Sequence, residues 1–579
     1  MPRLIYKCQI CDKQLKLKKE FTLGSAKLFE YECGHIFSKN FEIVSKADLD
    51  FTSCDGSEKK ARHYQEDGVQ FIVESDFNCI LGDQMRLGKT PQGLLALKNK
   101  FEERTPCLIL VKGANLWQWT REFKTWVTTL PNGIFPVIGS NAWIPPGFSA
   151  YIVSMDTFSR PKTLEALKKI KFKLIIADEA HSFKNTDSNR SQALVDFVKF
   201  QNTGEWPSQV DFTCPNCKHQ WSERGVQVYD KRIGLQVLYK HSKCPECNWY
   251  QTIKAGTEEK KPEGEKACGL LLLTGTPILN RADEYFVPLN LVNPEKFPSM
   301  DRFRKQWLEQ DEKGKWTKVK SYYIESFKKV IEPNFLRREK EDVYTDLPQL
   351  NKIYTLIDPD KGKAAEAYNK ILDQMDKELA AKANPTYWDM ASHLMQLRRI
   401  CGMMKLMWTA EYLESCTDES TAKYAIGIHH ESVRDVLEMK LGGPEKCLKL
   451  SGEDNADRKD WIMRNWETVP QQFLIINMLA GGVGMDFHYC DNVLVLERQW
   501  NSEMEAQFEF RFYNPDKSIK KNPTNVEYII CKGTLDEWWY DMVESKRKVV
   551  GETMYNHWDI EKDTDSFRDL VERTVRGRI

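Results

Sequence analysis

The chain has 579 residues, 84 lysines and arginines against 84 aspartates and glutamates, and a hydrophobic share of 41%. That length and apolar share suit about three to five packed domains and exclude a disordered chain. The zero formal net charge means that a polyanion has to be held by local patches, for which Lys168-Lys169-Ile170-Lys171-Phe172-Lys173 and Arg337-Arg338-Glu339-Lys340 are candidates, solvated faces being the plain alternative.

Taken from the N-terminus, Met1 to Cys8 lacks the apolar stretch and small-residue cleavage site of a secretory leader. No later apolar run approaches about 20 residues, so a soluble, intracellular protein that touches no membrane is expected. Its compartment would be the cytoplasm in a bacterial setting and the nucleus in a eukaryotic one. Cys8-x-x-Cys11 followed by Cys33-x-His35 has the ligand types and spacing of a structural zinc site, with Cys54 an alternative last ligand.

Asn78–Leu81 is then predicted as a strand, 83–88 as a turn and 90–100 as a helix that accepts Pro91 in its first turn. Strand, tight loop and helix around Gly88-Lys89-Thr90 form a phosphate cradle, in which backbone N–H groups and a helix N-terminus meet the phosphates. Lys89 would reach the terminal phosphate oxygens and Thr90 would hold magnesium. Asp83 stands where such a cradle usually starts with glycine.

Apolar runs at 107–111, 151–154, 174–177 and 270–273 follow, separated by helix-length segments. Asp178-Glu179 ends the third run, which sets both carboxylates at the carboxyl edge of a parallel sheet beside the cradle. Asp178 suits a magnesium partner and Glu179 the base that orients the attacking water. The wide gap before 270 holds Cys214-x-x-Cys217 and Cys244-x-x-Cys247, four soft ligands for a second structural zinc. A polar Pro/Gly-punctuated tether over 256–266 leads back to the sheet.

Residues 360–410 read as mostly helical, and apolar runs resume at 424–428, 473–476, 493–496 and 526–530. Continuous apolar strands alternating with helices indicate parallel sheets covered on both faces. The expected fold class is therefore α/β, with two tandem doubly wound lobes.

In this order the motifs resemble those of the superfamily-two helicases, and within them the Snf-type DNA translocases. The resemblance runs through Arg62-His63-Tyr64-Gln65, the loop 83–90, Trp119 to Trp126, Asp178-Glu179-Ala180-His181, Thr274-Gly275-Thr276-Pro277 and Phe335 to Val343. It continues through Leu397-Arg398-Arg399, Ala480 to Asp486, Trp500-Asn501, Gln507 and Arg511. It implies two RecA-like lobes: an N-terminal zinc ribbon at 1–48, an ATP-binding lobe at 49–345 with a ribbon insertion at 199–268, a helical inter-lobe region at 346–410 and a second lobe at 411–579.

The same resemblance implies ATP and magnesium as cofactors, beside the zinc suggested by the cysteine spacings, and a DNA-dependent ATPase that moves along duplex DNA and remodels DNA or its protein complexes. The nucleotide falls to Gln65, Gly88, Lys89, Thr90, Asp178 and Gly484, and catalysis to Lys89, Asp178, Glu179 and Arg511. Nucleic acid falls to Lys112, Ser154, Lys184, Gly482 and Trp500, although Trp500 reads equally as a core aromatic. The ribbons suit DNA, a replication or repair protein, or an architectural role. Movement on single-stranded DNA or RNA, and an ATP-gated scaffold with little turnover, stay open as alternatives.

Two departures bear on turnover. Arg86 replaces a glycine of the family's loop, and the last motif carries Asn514 three residues after Arg511, where the family has a second arginine. Arg511 is expected to act as the remaining finger on transition-state charge, with Arg86 in part supplying the missing cation.

Overall fold

The computed structural model describes residues 45–139, 143–183, 188–204, 268–275, 282–310, 316–381, 387–417, 422–478, 485–499, 502–541 and 543–544. It also describes short stretches between 17 and 37 and between 209 and 256.

The first sheet has seven strands, in the order Phe335–Leu336, Asn78–Leu81, Gly269–Leu273, Leu174–Ala177, Cys107–Val111, Ala150–Ser154 and Ile134–Val137. Every neighbouring pair is parallel. Its strands are continuous apolar runs because both faces are buried. Leu108 and Leu110 pack into one core, and Cys107, Ile109 and Val111 into the other.

The second sheet has six parallel strands, in the order Leu350–Ile357, Thr524–Cys531, Asn492–Val495, Tyr424–Ile428, Phe473–Asn477 and Cys447–Leu450. The predicted apolar runs all lie in these two sheets. The expected helical character of 346–410 differs at its start. Leu350–Ile357 is an edge strand paired along its whole length with Thr524–Cys531, and only its last residue is fully buried, so it lacks the apolar continuity of a central strand. Helices Lys363–Ala381, Tyr387–Met404 and Leu406–Thr417 follow.

Between Leu174–Ala177 and Gly269–Leu273 the chain leaves the sheet for antiparallel hairpins. Gln209–Thr213 pairs with Gln220–Arg224, and Leu235–Lys243 pairs with Val226–Asp230 on one side and Tyr250–Gly256 on the other. The neck closes where the Cys268 amide donates to Asn202 Oδ1 at 2.7 Å. Among the described residues, no helix is long and apolar enough to cross a membrane.

Candidate nucleotide-binding and catalytic site

Helix Lys89–Asn99 begins at Gly88, whose φ is +70°, and no side chain caps it. Its first amides are thus left for an anion, and Pro91 removes only a donor the helix does not use. Glycine suits the left-handed backbone at Gly88, and a Cβ there would lie 2.3 Å from Gln65 Nε2 and push that amide aside. Gln65 is buried; it accepts from the Arg62 amide at 2.9 Å and donates to the Leu87 carbonyl at 3.2 Å, which braces the loop from behind. Lys89 Nζ donates to the Asp83 carbonyl at 2.7 Å. Burial lowers the Lys89 pKa, against the opposing pull of Glu179, Asp83 and Asp178.

The unusual Asp83 has a structural partner. It is fully buried and receives Arg338 Nε at 3.0 Å, a closer Arg338 Nη2 contact, and Gln92 Nε2 at 3.1 Å. Arg338 also donates to Gln92 Oε1 at 2.7 Å, and Arg337 donates to the Gly82 carbonyl at 2.9 Å. The basic run at 337–340 is therefore not a surface patch for a polyanion. Its arginines are internal struts of the phosphate loop, because Phe335–Leu336 lies beside Asn78–Leu81 in the sheet.

Asp178 and Glu179 follow the strand Leu174–Ala177 as expected, but that strand is not the neighbour of the cradle strand. Gly269–Leu273 runs between them and brings Thr274 to the middle of the site, where its amide donates to the Leu81 carbonyl at 3.1 Å. Asp178 Oδ2 accepts from Trp119 Nε1 at 2.9 Å and Asn115 Nδ2 at 3.3 Å, and Oδ1 accepts from the Glu179 amide at 3.0 Å. Glu179 holds a left-handed backbone, φ +50°, which few side chains adopt outside constrained sites. His181 Nδ1 lies 3.1 Å from Glu179 Oε2 and 3.4 Å from Thr274 Oγ1, linking the acid pair to the strand beside it.

The two carboxylates are driven apart. Burial and then the Glu179 charge raise the Asp178 pKa. At Glu179 burial is outweighed by the His181 hydrogen bond and by the His181, Lys112 and Lys89 charges, so this carboxylate stays ionised below its usual range. Thr90 and Asp178 are the oxygen ligands that a magnesium ion could use beside the phosphates. The uncapped helix start and a lysine set among carboxylates fit a magnesium-bound nucleotide.

A cleft of about 590 Å³ separates the lobes, lined by Lys112, Asp156 and Arg190 from the first and by Asp454, Gln507 and Arg511 from the second. Val111 and Ser154 are paired across neighbouring strands, which sets Ser154 next to the strand end that leads into Lys112. The Ser154 hydroxyl caps helix Met155–Phe158 by accepting from the Thr157 amide at 3.2 Å. Arg511 is buried, and among the described residues its Nη1 has no hydrogen-bond partner. Burial, and then the Arg86 charge, lower its pKa.

Arg86 does not face the phosphate loop. Its Nη1 meets Asp486 Oδ2 at 2.9 Å, its Nη2 donates to the Arg511 carbonyl at 2.7 Å, and its Nε donates to the Phe510 carbonyl. Asn514 Oδ1 accepts from the Asp516 amide at 3.0 Å, a turn that sets Asp516 against Arg62. Cys54 is resolved as well. Its thiol faces the Trp126 and Val127 carbonyls of the first lobe at 3.4 and 3.3 Å.

Lys184, Gly482, Gly484 and Trp500 lie outside the described residues, as do Cys8, Cys11, Cys33, His35, Cys214, Cys244 and Cys247. Cys217 is described and exposed. Among the described residues no cluster suited to a metal ion occurs. Sequence reasoning gave Trp119, Asn115 and Asp486 no individual role and read Arg338 only as part of a candidate basic patch. The one signal in the sequence was Asp83 itself, a buried-loop acid that called for a cation.

The SNF2-related domain profile matches residues 64–203 and 266–406, stopping and resuming on either side of the hairpins. These two segments carry an SNF2-related domain. It is 21% identical over 518 residues to the DNA annealing helicase and endonuclease ZRANB3 of Bos taurus, covering 87% of this chain and 41% of that one. It is 21% identical to the SWI/SNF-related matrix-associated actin-dependent regulator of chromatin subfamily A-like protein 1 of Xenopus laevis, covering 88% and 46%. The probable ATP-dependent DNA helicase CHR12 of Arabidopsis thaliana is 23% identical, covering 89% and 44%. This SNF2-related chain thus spans less than half the length of these curated relatives. The Sulfolobus solfataricus SWI2/SNF2 ATPase core in complex with dsDNA is similar at 19% identity and a TM-score of 0.38, covering 93% of this chain and 100% of that one.

Proposed function

We propose that this chain hydrolyses ATP to move along double-stranded DNA and so remodels DNA or DNA–protein complexes. The observation that carries the reading is Arg511. Its guanidinium is buried, lines the inter-lobe cleft with Lys112 and, among the described residues, leaves Nη1 without a hydrogen-bond partner, and Lys112 feels the Glu179 and Asp178 charges. A buried donor without a partner is costly, and a phosphoryl group developing charge in the cleft would satisfy it. The relatives' names supply DNA as the polymer.

In this scheme Gly88, Lys89 and the helix start hold the phosphates. A magnesium ion on Thr90 and Asp178 would neutralise phosphate charge, and Glu179, kept ionised by His181, accepts the proton of the attacking water. Arg511 stabilises the charge from the opposite lobe. The His181–Thr274 contact offers a path from the acid pair to the DNA-facing edge. Lys112, Ser154 and Lys184 from one lobe, with Gly482 and Trp500 from the other, would grip phosphates, with Gly484 near the nucleotide. Sequence preference is then slight and salt dependence steep.

Each Cys-x-x-Cys knuckle of the insertion falls in the loop of an antiparallel hairpin, between Thr213 and Gln220 and between Lys243 and Tyr250. That placement supports a zinc ribbon on Cys214, Cys217, Cys244 and Cys247. Cys33 and His35 lie between the paired segments Ala26–Tyr31 and Ile36–Phe37, which supports a second zinc shared with Cys8 and Cys11. Lobe boundaries at 49–345 and 411–579, joined by 346–410, complete the reading.

The test is steady-state ATP hydrolysis without nucleic acid and with duplex DNA, single-stranded DNA or RNA, beside Glu179→Gln. Duplex stimulation that the variant lacks is expected. Asn514 favours a second reading, an ATP-gated scaffold, which intact ATP binding with no hydrolysis on any polymer would establish.

A further inference from the structure

The last motif of the second lobe lacks its second arginine, yet the segment carrying Arg511 is held by three cations of the first lobe. Arg62 pairs with Asp516. The Lys340 ammonium sits 3.9 Å from the Phe510 ring centre and 4.9 Å from that of Tyr513. Arg86 binds the Phe510 and Arg511 carbonyls and the Asp486 carboxylate.

Of these only Arg86 is part of the phosphate loop, and it keeps a left-handed backbone, φ +72°, which glycine adopts with least strain. Every nitrogen of its guanidinium is engaged with the second lobe, so it has no fork left to offer a phosphate. The Arg511 carbonyl accepts from Arg86 and also from the Phe487 amide at 2.8 Å, while Asp486 is steadied by His488 Nδ1 at 3.0 Å. The strut is therefore anchored at both ends.

The geometry points to Arg86 as a positioning residue that replaces the missing second finger, by fixing the backbone of Arg511 to the phosphate loop rather than by presenting its own charge to the phosphate. This assignment rests on the ATP-hydrolysing reading above. Lys cannot reproduce it, because an ammonium can keep the Asp486 pair but not the planar fork that spans two carbonyls.

The test uses the full chain with duplex DNA, measuring kcat together with the affinity for a fluorescent ATP analogue. Arg86→Gly relieves the backbone strain, so folding is retained. kcat is expected to fall about tenfold, within the hundredfold that a misplacement of about 1 Å can cost, while analogue affinity changes less than about twofold. Arg86→Lys falls between, and Arg86→Gly with Asp486→Asn loses no more than Arg86→Gly alone, as residues of one strut are non-additive.

An unchanged or raised kcat in Arg86→Gly would overturn the assignment, the raised value marking Arg86 as an inhibitory lock between the lobes. A loss confined to analogue affinity would also overturn it. Absence of turnover in the unmodified chain would instead remove the hydrolytic reading on which the assignment rests.

Discussion

Replacing Arg338 with alanine should damage the phosphate loop more than any surface charge change. Asp83 is fully buried, and it accepts two contacts from Arg338 and one from Gln92. In Arg338→Ala the carboxylate keeps only the neutral Gln92 donor, and breaking a buried pair from one side costs about 3–5 kcal/mol. At roughly 2–4 °C per kcal/mol for a large domain, the lower figure shifts the melting temperature by roughly 6–12 °C. Removing both charges is different, since a buried pair exchanged for apolar groups of similar volume is close to neutral. Asp83→Ala with Arg338→Met should regain most of the loss. Calorimetry of nucleotide-free protein compares the two variants with the unmodified chain. A melting temperature for Arg338→Ala within about 1 °C of the unmodified protein, or a double variant less stable than the single, would refute the reasoning.

Arg511→Ala should reduce DNA-stimulated turnover by about a thousandfold or more with ATP binding retained, as loss of an arginine finger does elsewhere; single-turnover kinetics check this, and near-normal rates would remove the finger. The His429 pKa is lowered to about 4 by burial, then by Arg398 and His430. The unfolded chain therefore takes up this proton near 6.5 while the folded chain does not. Stability should fall with acidification between about 6.5 and 4, and melting curves of His429→Gln should show a shallower dependence over that interval. Metal analysis should find about two zinc ions per chain, one of them lost in Cys214→Ser with Cys217→Ser; an unchanged content would place the metal elsewhere.

Strands buried on both faces were legible because continuous runs such as Cys107–Val111 and Leu270–Leu273 have no reason to be apolar otherwise. Edge strands were not. Leu350–Ile357 carries Lys352 and Tyr354 and is mostly half-exposed, so its period is blurred, and Ile134–Val137 includes Pro136. At the candidate site, Gly88, Lys89, Asp178 and Glu179 stand out in the sequence because their neighbours along the chain suggest their chemistry. Arg338 lies 255 residues from Asp83, and Asp486 is 400 from Arg86 by their numbers, 486 minus 86. Such pairs follow from sheet order and lobe closure, which local pattern does not contain. The role of Arg86 shows the limit well: its departure from glycine was visible, but the direction of its side chain was not.

The closed neck between Asn202 and Cys268 gives the hairpin insertion the character of a cassette. Because its two ends are already pinned together by the sheet on either side, lengthening or exchanging what lies between adds little loop-closure entropy. A lineage could therefore fit this fold with a different module at that position without redesigning the cradle or the acid pair. A protein engineer could splice a fluorescent or affinity module there for the same reason.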